Sequence, residues 1–228
     1  MPLVGIALAV AAVLAACAPT STATPSAAPS TGATTPTPSP DTSPVAVALV
    51  VDGGGFEIVD STGAVTFAHA WADEADPAVD ALTEAFGAEP TTSFEDNTNT
   101  HFADYDVYSW PGLAFGDAVG LSKPRAEYFL PSWVRVETAA VGEVAVRSRS
   151  GVGVGSSVQE VAALDPVVRE QVDAATPAVY RVDAVDASLG LDQLSPPAEP
   201  VAMVGLVADA ADLTIVKLAA PELSWSPF

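Results

Sequence analysis

Few side chains in this 228-residue chain could carry acid–base or nucleophilic chemistry. It has two histidines, His69 and His101, and one cysteine, Cys17. A hydrolytic triad needs a serine, a histidine and an acid held in fixed geometry. No Gly-x-Ser-x-Gly elbow is present to offer such a serine. His69 alternates with Phe67 and Trp71, so it is expected on a strand face as a lone polar residue. The run from Gly151 to Ser157 invites a nucleotide reading through Gly151, Gly153 and Gly155. A dinucleotide fingerprint would need its third glycine at 156, which is Ser156. The run is expected to be a strand-to-helix turn with Ser157 as the helix cap. Neither lysine, Lys123 or Lys217, follows a phosphate-binding loop.

Two further groups could bind rather than react. Glu95, Asp96, Asn97, Asn99, Asp104 and Asp106 supply the oxygens that hard cations prefer. Their spacing is not that of a calcium loop, because Thr100 stands where the turn glycine belongs. A solvated acidic loop is the expectation, with no metal and no cofactor required. Tyr105, Tyr108, Trp110, Phe115, Tyr128, Phe129 and Trp133 cluster around Lys123-Pro124-Arg125. Alternating tyrosines usually form core and cross-strand pairs. The segment Tyr128-Phe129-Leu130-Pro131-Ser132-Trp133 is hard to bury completely. Tyr128, Phe129 and Trp133 are therefore the candidate interaction patch.

The elements that must position these residues follow from periodicity. Val45 to Val51 reads as a strand, Gly53-Gly54-Gly55 as a turn and Phe56 to Asp60 as an alternating strand. Ser61-Thr62-Gly63 turns the chain into a third strand, making a meander. Asp76-Pro77 is expected to start a helix, as cap and first-turn proline, with Val79, Leu82 and Phe86 on one face and Gly87 as its stop. Strands are expected near 91–94, 105–110 and 113–115, and a further pair at 133–138 and 141–147. A second helix should start at Val158, bend at Asp165-Pro166 and run to about Ala175. Strands near 179–185, 201–207 and 213–218 close the sheet. This order predicts an α+β fold, mostly antiparallel, with two short helical segments. The shared Asp-Pro-x-Val at Asp76 and Asp165 hints at two similar halves.

Charge excludes some partners. The formal charge is −21. Between residues 45 and 122 there are 14 acids and no Lys or Arg. Phosphate backbones need a basic face, so no nucleic acid is expected as a partner.

Leu3 to Ala16 is an uncharged stretch of 14 residues, too short to span a bilayer comfortably and suited to a signal peptide at 1–16. It ends in Leu14-Ala15-Ala16-Cys17, which resembles the lipobox of bacterial lipoproteins. The resemblance implies that Cys17 is lipidated and becomes the mature N-terminus, with Leu14, Ala15 and Ala16 as the recognition residues before it. Met1-Pro2 departs from that family in offering no Lys or Arg. A lipidated Cys17 would leave the rest of the chain without a thiol. Residues 18–44 are Ser, Thr, Ala and Pro rich, with seven prolines. They are expected to form a semi-extended tether, reaching up to roughly 80 Å at polyproline rise. Residues 45–228 are expected to be one α+β domain. The whole layout resembles actinobacterial lipoproteins with a lipobox, a Thr/Pro-rich tether and one domain. Val154-Gly155-Ser156-Ser157-x-x-Glu160-Val161 is similar to small outer-membrane-assembly lipoproteins and β-lactamase-inhibitor-like modules, which implies protein contacts.

The expectation for function is a lipid-anchored extracytoplasmic protein, held to the membrane through Cys17, with a non-catalytic binding or protein-interaction domain and a protein partner in the envelope. The alternatives are an extracytoplasmic hydrolase or other enzyme, and a solute-binding or wall-spacing lipoprotein.

Overall fold

The computed structural model describes residues 45–98, 103–128, 130–166, 168–170, 178–186, 201–209 and 211–223. Leu14, Ala15, Ala16, Cys17, His101 and Phe129, and with them the expected signal peptide and tether, lie outside the described residues.

Two sheets face each other. The first contains β1 (Ala46–Val51), β2 (Gly55–Asp60), β3 (Val65–Ala70), β8 (Ala140–Val141) and β9 (Val144–Ser148), in the order β3-β2-β1-β9-β8. The second contains β4 (Thr91–Glu95), β5 (Asp104–Trp110), β6 (Leu113–Val119), β7 (Ser132–Val136), β10 (Val168–Glu170), β11 (Val179–Asp186), β12 (Val201–Ala208) and β13 (Ile215–Leu223). Its order is β10-β11-β12-β13-β7-β6-β5-β4. Every described pairing is antiparallel except β1 with β9. Among the described residues there are two α-helices, α1 (Ala75–Phe86) and the short α2 (Val158–Ala162). The α+β, sheet-dominated expectation stands.

Register decides what each sheet buries. Tyr108 pairs with Phe115, Phe115 with Val134, Val134 with Ala220, and Leu218 with both Val136 and Leu206. Cross-strand partners share a face, so these residues form one apolar inner face. Leu49, Val51, Phe56 and Ile58 of the first sheet close on it. The Phe56 and Phe115 rings meet edge-on at 6.2 Å across the layers. α1 seals one side of the sandwich with Ala75, Ala78 and Leu82 buried, at the three- and four-residue spacing of one helix face. Burying Leu82 is worth about 2 kcal/mol. Gly87 ends α1 at φ 63°, a left-handed conformation that glycine adopts without strain. Phe86 then packs on Trp110, whose indole N–H donates to the Ala88 carbonyl at 2.8 Å.

The meander β1–β2–β3, the stop at Gly87 and the capping role of Ser157 agree with the sequence reading. Four expectations do not. Asp76 is not the cap: α1 starts at Ala75 after Glu74, and Asp76 is an acid in its first turn. The strands after Trp133 and Val141 do not pair with each other. β7 belongs to the second sheet while β8 and β9 belong to the first, because residues 137–139 carry the chain between layers. Alternation within each strand is the same for a hairpin as for a crossover, so the pattern could not separate them. The second helix stops at Ala162 instead of near Ala175, and β10 occupies part of its predicted length. Asp165 there has φ 53°, which no right-handed helix contains. Asp76-Pro77 thus lies inside a helix and Asp165-Pro166 beyond one, so the shared motif does not mark equivalent units.

Candidate functional site

The opposite, outer face of the second sheet is built from small residues. Ala114, Gly116 and Ala118 of β6 lie between β5 and β7, and Ala219 and Gly205 continue the pattern on β13 and β12. Trp133 uses that space. Its indole lies flat over its cross-strand partner Gly116, where an added Cβ would stand 2.1 Å from the ring. Tyr105 meets the indole edge-on at 6.0 Å, and its hydroxyl donates to the Leu130 carbonyl at 2.7 Å. Burial, with Glu95 nearby, pushes the Tyr105 phenol well above its usual range, so it remains a donor at any physiological pH.

Arg135, one turn of the pleat beyond Trp133, folds back so that its guanidinium carbon sits 5.1 Å from the indole centre. That is cation–π range. Arg135 is exposed and forms no ion pair among the described residues. Beside this pair lies a concavity of about 250 Å³, lined by Glu95, Asn97, Tyr105, Leu130, Trp133, Arg135 and residues Ala219, Ala220 and Pro221 of β13, among others. Its charged groups are Glu95 of β4 and Arg135 of β7.

The loop above it is tied down. Arg125 pairs with Asp117 at 2.6 Å and donates to the Ala118 and Pro131 carbonyls. Burial raises the Asp117 carboxyl above its ordinary value, against the pull of Arg125. Tyr128 is not a free aromatic. Its hydroxyl accepts from the Ser122 and Lys123 backbone N–H groups at 2.6 and 3.2 Å, closing the loop on itself. Of the candidate patch, Trp133 therefore lines the concavity, Tyr128 serves the loop and Phe129 lies outside the described residues. The sequence reading missed Arg135. Its two-residue spacing from Trp133 in a strand was the available signal, since such residues share a face.

A second group of reactive types meets in the core. His69 Nε2 lies 3.3 Å from Ser132 Oγ, 63 residues away in sequence. Ser132 Oγ donates its single proton to the Trp71 carbonyl at 2.7 Å. The imidazole must therefore donate to Ser132, the reverse of what a general base does. Both residues are buried, and Phe56, Trp71 and Phe115 surround the imidazole at 5.1 to 6.2 Å. Burial pulls the His69 pKa down to about 4, with Arg125 assisting and Asp73 opposing. This is a core hydrogen-bond chain.

Two carboxylates of the acidic loop, Asp96 and Asp104, accept from its own backbone. Asp104 accepts from the Asn97 N–H at 2.8 Å and Asp96 from the Thr98 N–H at 2.9 Å. No three His, Cys, Asp or Glu side chains are placed to hold a metal among the described residues. The glycine run after β9 leads into α2, where Ser157 and Glu160 form a reciprocal capping box.

No protein-family model matches the chain, and no curated protein or solved structure matches it either.

Proposed function

We infer that this chain is a lipid-anchored extracytoplasmic lipoprotein whose domain is a non-catalytic binding or protein-interaction module. The observation that carries the binding role is the Trp133–Arg135 stack beside its concavity. A guanidinium held over an indole is preorganised, so less side-chain freedom is lost when it meets a ligand. Aromatic and arginine side chains are also the commonest energetic anchors of interfaces. The anchoring role rests on Leu14-Ala15-Ala16-Cys17 and on the proline-rich segment behind it. A hydrolase reading would need a serine and a base reachable by substrate, and the buried His69–Ser132 chain argues against using that pair.

Two experiments test the proposal. Mass spectrometry of the mature N-terminus should find an acylated Cys17, and Cys17→Ala should release the protein from membranes. A photo-cross-linking amino acid at Leu130, which lines the concavity and leaves the Trp133–Arg135 stack intact, should give a discrete adduct in the full chain in its native envelope. An unmodified Cys17 would overturn the anchor, and the absence of any adduct would overturn the binding role.

A further inference from the structure

We propose that β4 is an open edge that takes an extended, basic segment of a partner protein as an added strand. The inference rests on the interaction-module reading and on the free edge of β4, which shares only Glu95 with the Trp133 concavity. β4 ends the second sheet and pairs only with β5, so its outer row of backbone groups has no strand partner among the described residues. All five of its residues are exposed, and Phe94 is 60% exposed. Proteins usually blunt such an edge with lysine, a bulge or a covering element. β4 has no lysine and no register shift, and what blunts it is confined to its ends, Pro90 just before it and Glu95 as its last residue. β3, at the edge of the other sheet, differs: Thr66 and Phe67 face Ala81 and Ala85 of α1 across a groove, and His69 is buried.

Charge selects the occupant. Glu89, Glu95 and Asp96 flank or belong to β4, Asp104 and Asp106 lie on β5, and no Lys or Arg occurs from residue 45 to 122. A second copy of the same strand would bring these carboxylates together, and like charges across a pair are destabilising. A cationic segment would relieve them. Alternation refines the match. Phe94 and Thr92 share one face of β4, and Thr91, Ser93 and Glu95 the other. An added strand would place apolar residues beside Phe94 and a Lys or Arg beside Glu95. Backbone pairing would supply affinity, and these alternate contacts specificity.

The test uses end-blocked peptides alternating Val with Lys, or Val with Glu, and the full chain in neutral detergent. Amide hydrogen exchange is read residue by residue. The Val/Lys peptide should slow exchange severalfold at the alternate residues of 91–95 whose N–H groups point away from β5, weaken with added salt, and lose the effect with Phe94→Lys. The Val/Glu peptide should have no effect. Absence of protection at millimolar Val/Lys peptide would overturn the proposal, as would equal protection by both peptides or retention of binding by Phe94→Lys. If the peptides fail while the Leu130 cross-link forms, the edge proposal falls and the binding-module reading stands.

Discussion

Acidification should destabilise this protein through His69, and the size of the effect follows from its burial. The imidazole is 4% exposed, ringed by aromatics, and its pKa is lowered from 6.5 to about 4. Because the folded pKa lies below the unfolded one, the unfolded chain takes up a proton that the folded chain refuses. Stability is therefore unaffected above about pH 7, falls as pH drops from 6.5 toward 4, and levels off below. At pH 5 the loss is about 2 kcal/mol, and below pH 4 it saturates at about 3 kcal/mol. Asp117 works in the opposite direction: its raised pKa favours the fold as the carboxyl protonates. Wild type must therefore be compared with a variant that lacks only the imidazole. His69→Gln keeps a donor for Ser132 and cannot titrate. Urea unfolding at pH 7.5 and pH 5 should show a drop about 2 kcal/mol larger in wild type than in His69→Gln. The His69 ring proton should also titrate near pH 4 by NMR, with His101 as the only other histidine signal. Equal drops in both proteins, or a His69 midpoint near 6.5, would refute the burial argument.

Other substitutions probe the site and its supports. Gly116→Ala puts a methyl 2.1 Å from the Trp133 indole, so the ring must leave the sheet; a cost of about 1–3 kcal/mol and a changed tryptophan emission are expected. Arg125→Met leaves the Asp117 carboxylate buried without its cation, with side chains only 12% and 16% exposed in the pair. The loss should be about 3–5 kcal/mol, with faster proteolysis at residues 121–131 as the more specific readout. Ser157→Ala removes half of the capping box and should cost about 1 kcal/mol in urea unfolding.

The elements were legible wherever local chemistry specifies them. The turn at Gly53–Gly55, the left-handed stop at Gly87 and the Ser157 cap each depend on residues within a few positions of one another. So does strand alternation, which placed Trp133 and His69 on strand faces. The α2 boundary was misread because Val158 to Ala175 keeps an apolar period that a helix and a turn followed by β10 can both satisfy. The positive φ at Asp165 breaks that tie only in three dimensions.

By itself the sequence determined the net charge of −21, the cysteine placed behind a short apolar stretch, and an α+β domain rich in antiparallel strands. Those follow from composition and from contacts close along the chain. Tertiary structure alone decided which strands share a sheet, that residues 137–139 change layers, and that Ser132 reaches His69 across 63 residues. It also decided that Trp133 lies on Gly116 with Arg135 above it, and that β4 is left at an edge. Alternation fixes which side of a strand is apolar but carries no information on its neighbour. Pairing is settled by the burial gained when all the inner faces close on one core, a property of the whole chain.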